Sequence, residues 1–321
     1  MWLQPFDPRL QPFGLRLQPF GPKLQPFDSR LQPFPFEACQ HHTNDVFESA
    51  NVSSVIYLFR NEQLKDYSFE YIKADNVTQW KAGEGETIVV RKSVVEKAEF
   101  YKVCFSSEVE TDLLIKINNT DKLSSIMKVW RGEEIGRKSS LISFYPTTND
   151  RPLLAGDNVH RYEPITWNRY IDIDDVGKGN YEKPKILIRQ LGSCINATLD
   201  LDGCVTLQSI YNLALQKGNV QTLKYVLGLL NTKLYDFIYN KISGDKQTFQ
   251  RIILENVKQL PVPTATPAQQ QPIIALVDKI LAAKKTNSQA DTGAWEREID
   301  GLVYELYGLT EDEVKVVERG A

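Results

Sequence analysis

The sequence predicts an α+β protein whose strand-rich segments come first and whose helices come last. β-Branched and aromatic runs bounded by polar turns occur at 52–59, 70–73 and 87–91, as packed strands require. Clear strand runs return at 185–189 and 205–211. From Val220 onward the apolar period changes to three and four, the spacing of a helical stripe.

In chain order, the first element is a repeat of period seven: LQPFDPR, LQPFGLR, LQPFGPK, LQPFDSR and LQPFPFE, starting at Leu3. Pro5, Pro12, Pro19, Pro26 and Pro33 share one phase, and a proline every two turns removes helix bonds and clashes with the preceding turn, so this is no coiled coil. Residues 1–43 are expected to be low-complexity and disordered, each unit offering one Leu and one Phe with no pattern to bury them. The functional alternative is a Phe-bearing docking tail. Near-identical units also fit a translated tandem DNA repeat, which would make the start of the reading frame accidental.

Residues 44–119 hold the strands Val52–Phe59, Glu70–Lys73 and Thr87–Arg91. Gly83-Glu84-Gly85 falls in a turn between them; as a cofactor loop it lacks a strand leading in and a helix leading out. Residues 120–263 read as mixed strand and loop with one long helix. Val220, Leu223, Leu227, Leu230, Leu234 and Phe237 form a single stripe up to about Ile242, and Ser243-Gly244 supplies the stop. A Pro-rich connection from Leu260 to Pro267 leads into a helical region over 264–321, with patterns at 270–285 and 294–306. In a last short helix Thr310 is the N-cap, Glu313 completes a capping box and Leu309 staples onto Val314. That role accounts for Glu313 without the nuclease chemistry its Glu-Val-Lys setting also spells. Asp300 and Glu305 read as solvated.

The net charge of −3 argues against nucleic acid, but its distribution does not. Residues 121–260 carry 19 Lys+Arg against 15 Asp+Glu, between two acidic flanks, which permits a local phosphate-facing surface. No apolar run reaches the length of a membrane span and the N-terminus has no signal-peptide pattern, so the expectation is a cytoplasmic protein without a membrane partner. Cys39, Cys104, Cys194 and Cys204 form no CxxC pair and read as reduced, buried thiols. Cys39 with His41 and His42 lacks the second ligand cluster a closed metal site needs, His160 being the one other histidine.

Four stretches, in this order, carry a resemblance. They are Asn44–Tyr57; Arg151-Pro-Leu-Leu-Ala-Gly-Asp-Asn-Val-His-Arg-Tyr162; the run from Lys183–Arg189 through Leu229–Leu234 to Leu260-Pro-Val-Pro263; and Glu298–Glu318. Together they resemble the C-terminal portion of type IIG restriction-modification enzymes and related adenine-specific DNA methyltransferases, which carry a TaqI-like specificity domain. The second stretch is close to a KPLLRGxDIxRY signature of that family. The resemblance implies that 44–119 are remnant strands of a Rossmann-like methyltransferase sheet, that 120–263 are a DNA target-recognition domain, and that 264–321 are its helical cap. A complete relative binds S-adenosylmethionine at a glycine-rich turn and holds a flipped adenine at an Asn-Pro-Pro-Tyr motif. This sequence has no Pro-Pro pair and no such turn, so the expectation is a chain without catalytic residues or cofactor of its own.

Its implied partners are double-stranded DNA and a separate methyltransferase polypeptide. The implied DNA contacts are Trp130, Arg131, Arg137 and Lys138 in the segment Lys128–Lys138, a loop shaped by Gly132 and Gly136, with Arg161, Lys183 and Lys185. The plain readings stand beside these: a solvated turn with Trp130 in the core, an internal ion pair for Arg161, and a solvated basic strand face shared by Lys183, Lys185 and Arg189. A non-functional gene remnant, or a protein-interaction scaffold using the repeat, are the alternatives to a DNA-reading module.

Overall fold

The computed structural model describes residues 36–42, 54–59, 66–74, 77–93, 108–136, 138–177, 180–243 and 251–320. It divides into two units, Met1–Glu108 and Val109–Ala321.

The first unit holds a four-stranded sheet of order β2-β1-β3-β4, made by β1 (Phe36–His42), β2 (Ser54–Phe59), β3 (Ser68–Ala74) and β4 (Glu86–Arg91). β1 and β3 run parallel, and the other two pairings are antiparallel. Helix α1 (Val77–Ala82) joins β3 to β4. Phe69 and Val90 face each other across β3 and β4 and are both buried, while Val89 points the other way and is 55% exposed. This is the period-two alternation of a strand with one covered face. β1 is a correction to the sequence reading: it lies in the segment 1–43 expected to be disordered. The repeat's proline phase ends at Pro33 and Pro35 is the last proline of this stretch, so Phe36 to His42 offer an unbroken set of backbone donors to a ladder.

The second unit opens on α2 (Glu108–Asn118), whose Leu113, Leu114 and Ile117 are buried. Ion pairs from Glu110 to Lys241 at 2.9 Å and from Lys116 to Glu313 at 2.8 Å tie α2 to this unit, so the division precedes the boundary expected at 119. A two-residue strand β5 (Asp121–Lys122) and a single turn α3 (Leu123–Ile126) lead into β6 (Met127–Arg131). Next come β7 (Ile142–Ser143), β8 (Asp150–Leu154), β9 (Tyr170–Asp172), β10 (Lys185–Arg189), β11 (Ala197–Asp200), β12 (Val205–Thr206) and β13 (Ile210–Leu215). The run expected as one strand over 205–211 is thus two strands separated by a turn, which sends them into different sheets. β11-β10-β13-β6 form an antiparallel central sheet, and β12-β8-β9-β7 form a smaller one.

β10 is covered on both faces. On one, Leu187 and Ile210 pack with Leu154, Val159 and Cys204. Helix α4 (Val220–Leu230) packs across β10 and β11 on the other. β6 ends the order of this sheet, and among the described residues no further strand pairs with its outer side.

The long helix expected over 220–242 is two: α4, and α5 (Lys233–Ser243). Asn231 interrupts it because its side-chain amide is engaged by a strand, accepting from the Ala197 N–H at 3.1 Å and donating to the Ala197 carbonyl at 3.0 Å. The apolar stripe runs through the break in phase, so periodicity alone hides it. Gly244, the expected stop, lies outside the described residues. A five-residue α6 (Leu254–Lys258) and β14 (Pro261–Val262), paired with β5, precede the helical region. There α7 (Pro267–Thr286) begins with Pro267 at its first position behind a Thr266–Gln269 capping box. α8 (Gly293–Leu306) and α9 (Glu311–Gly320) follow. Thr310 and Glu313 form the capping box that their spacing predicts, with reciprocal bonds of 2.7 and 3.3 Å. Among the described residues no helix is long and apolar enough to cross a membrane.

Candidate nucleic-acid interface

Of the basic residues singled out from the sequence, Lys185 lies in the interior and Arg161 is half-buried against an interior carboxylate. Lys185 is fully buried at the start of β10; its ammonium pairs with Asp200 across the β10–β11 ladder at 2.5 Å, donates to the Tyr181 carbonyl at 2.8 Å and sits 5.5 Å from the Tyr181 ring centroid. Asp200 also accepts from the N–H groups of Asp202 and Cys204. The expectation of a solvated face shared by Lys183, Lys185 and Arg189 is therefore corrected at Lys185. A second layer covers that side of β10, and a buried cation needs a carboxylate there.

Arg161 donates to Asp236 at 2.8 Å and to the Ile195 carbonyl at 3.0 Å. Burial raises the Asp236 carboxyl above its ordinary value, with Arg161 pulling it back. Next to Arg161, Tyr162 is buried at φ +60°, a left-handed conformation uncommon for a non-glycine residue. Asp300, expected to be solvated, is 7% exposed and accepts the Lys233 N–H at 2.9 Å at the start of α5. Burial raises its pKa to about 6, that backbone bond opposing the shift.

The remaining positions are nearer the surface. Arg131 is turned onto Gln208, donating to its carbonyl at 2.9 Å and its side-chain oxygen at 3.2 Å. Gly132 is required at the sheet crossing: a Cβ there would stand 2.4 Å from the carbonyl oxygens of Thr206 and Leu207. Glu133 is pulled inward and accepts the Tyr181 hydroxyl at 2.9 Å. Lys138 is exposed, and Arg137 lies outside the described residues.

Trp130 and Lys183 are brought together. They line a hollow of about 300 Å³ with Lys128, Asn180, Ala214, Leu215 and Gln216, and among the described residues no carboxylate is in its wall. Lys128 and Trp130 are two apart on β6 and so share a face. The Lys128 ammonium stands 5.7 Å from the indole centroid. Trp130 packs edge-on to Tyr181, centroids 5.9 Å apart, beside the buried cluster of Leu153, Ile171 and Val205. It is both a core residue and a wall of the hollow. Antiparallel pairing of β6 with β13 sets Lys128 opposite Ala214, which carries the chain on to Gln216 beside it. Asn180 and Gln216 were not among the residues singled out, and Lys128 entered only as the first residue of the segment Lys128–Lys138. Lys128 was legible as the strand neighbour of Trp130; the other two converge only through the sheet register and the loop before β10.

The Gly83–Gly85 turn leads from α1 into β4, with Gly83 at φ +73°. A glycine turn that cradles a nucleotide-like cofactor leads from a strand into a helix N-terminus. These residues do not fit S-adenosylmethionine.

Residues 151–262, the span from β8 to β14, match the model of the TaqI-like C-terminal specificity domain. The fold resembles that of the type IIL restriction-modification enzyme MmeI solved in complex with DNA, with a TM-score of 0.55 and 11% identity over 89% of this chain and 45% of that one. The type IIG restriction endonuclease BpuSI gives 0.41 and 10%, over 85% and 44%. An HsdS subunit from Thermoanaerobacter tengcongensis gives 0.36 and 15%, over 62% and 51%. The chain spans less than half the length of the first two. No curated protein matches the sequence.

Proposed function

We propose that this chain reads duplex DNA for a restriction-modification methyltransferase: the second unit grips and reads the target, and methyl transfer to adenine is performed by residues outside those described. The observation that carries the reading is the specificity-domain match over 151–262. The fold likeness to an enzyme solved on DNA supports it. So does a carboxylate-free basic hollow inside the matched region and on its flanking edge strand. In this reading the sheet of the first unit derives from a methyltransferase sheet, and the methyl donor S-adenosylmethionine is held by a partner polypeptide or by another part of the enzyme. Site-specific modification needs such a division, because phosphate contacts set register while base-edge contacts carry the sequence information.

The test is binding of the 321-residue chain to a pool of 24-base-pair duplexes across a salt series, alone and with a methyltransferase polypeptide of the same system. Binding that weakens linearly in log–log form with salt is expected. Absence of duplex binding in both arrangements sinks the proposal.

A further inference from the structure

We infer that the hollow at the β6 edge is the duplex contact itself, with Lys128 and Lys183 holding backbone phosphates and Asn180 and Gln216 meeting base edges. The inference rests on the DNA-reading function proposed above and assigns it to particular side chains.

The argument begins with where the cations are spent. Within residues 121–260 most buried or half-buried basic groups are tied to carboxylates: Lys185 to Asp200, Arg161 to Asp236, Lys224 to Asp278, Lys241 to Glu110. Arg151 and Arg131 lean on Glu182 and Glu134. Lys128 and Lys183 meet no carboxylate among the described residues, and neither does Lys217, one residue past Gln216. Two unpaired ammonium groups in one hollow repel each other, an arrangement that an anionic ligand relieves. The hollow lies over β6 and β13, at the end of the sheet where β6 has no further strand partner among the described residues, and an extended polyanion can lie along it.

The two amides set the class of ligand more narrowly. Asn180 has no hydrogen-bond partner among the described residues, and Gln216 spends one N–H on the Ser124 carbonyl at 3.1 Å, which leaves its side-chain oxygen and second N–H for a ligand. Asn and Gln amides present a donor beside an acceptor, the pairing that matches an adenine edge. Lysines alone would suit any polyanion; lysines beside two open amides, one in the loop before β10 and one at the end of β13, fit a backbone with readable bases next to it.

The experiment uses the full chain, the same duplex pool and fluorescence anisotropy across a salt series. The double variant Lys128→Ala/Lys183→Ala is expected to bind roughly tenfold more weakly and to lower the salt slope by about two, while single Gln variants at either position lower it by about one. Lys279→Ala/Lys285→Ala on α7 removes as much charge elsewhere and should change neither. Asn180→Ala and Gln216→Ala should keep the wild-type slope but shift the sequences recovered by selection from a randomised pool. Unchanged thermal melting shows that each variant is folded. Equal losses from the two lysine pairs overturn the assignment to the hollow and leave DNA reading standing, and unchanged selected sequences overturn the base-edge roles. Failure of the wild type to bind any duplex brings down the function and the hollow together.

Discussion

Lys183 and Lys185 stand two positions apart on one approach to one strand, yet the first is exposed at the rim of an open hollow and the second is sealed inside the sheet against Asp200. Chemistry and sequence neighbourhood are the same for both. What differs is the layer above them. Tyr181 before β10 and the turn after β11 that carries Cys204 close over Lys185 and its partner Asp200, while Lys183 stays exposed. A lysine under such a cover must be neutralised in place, and one beyond it keeps its charge for a partner. The same contrast separates Arg161, bound into the interior by Asp236, from Lys128 at the edge strand.

The largest effect expected from this contrast is at Lys185. Replacing it by Met strands the Asp200 carboxylate in the interior without its cation, at a cost of about 3–5 kcal/mol. Urea unfolding of the variant should show it as a large drop in midpoint. Lys185→Met/Asp200→Asn should recover part of the loss: no charge is left buried, but the amide has one accepting oxygen for the two N–H groups, of Asp202 and Cys204, that the two carboxylate oxygens serve. A Lys185→Met midpoint close to the wild type would mean that Lys185 is as free as Lys183, and the contrast would collapse.

The two regions were unequally legible in the sequence. β10 and the strands at 54–59, 68–74 and 86–91 follow from β-branched runs, and the α9 cap follows from the spacing of Thr310 and Glu313. Burial of Lys185 did not follow, because alternation reports the two faces of a strand but not whether both are covered. The α4–α5 break escaped for a related reason: Asn231 is called away by Ala197, a residue 34 positions distant, and nothing in the local pattern marks it. Trp130 and Lys183 were legible in the hollow through their residue types. Asn180 and Gln216 were not, since polar side chains in loops carry no signal until the β6–β13 register sets them beside Trp130.

Asp300 sharpens the contrast from the acid side: it is buried and held by a backbone N–H rather than by a cation. Its folded pKa of about 6 exceeds the value of roughly 4 expected when unfolded. The folded state therefore binds the proton more tightly. Stability from this group is greatest below pH 4 and falls as pH rises towards 6, by on the order of 2 kcal/mol. Asp236 is shifted in the same direction, so Asp300→Asn should flatten rather than abolish the fall in unfolding free energy between pH 4 and 6. A wild-type profile that rises across that window would show that Asp300 titrates as an exposed acid.

The smallest effect on the fold belongs to Lys183. Its ammonium makes no ion pair among the described residues and lies at the rim of the hollow, so Lys183→Ala removes little packing and no buried partner. The change in unfolding free energy should stay within about 0.5 kcal/mol, the range of surface substitutions away from caps and networks. The measurement that matters is the pair of urea midpoints for Lys183→Ala and Lys185→Met under one set of conditions. A gap of several-fold between their effects is what a cover layer over one and not the other requires. If Lys183→Ala instead destabilises the chain as much as Lys185→Met, its ammonium is spent on the fold and is not available to a phosphate.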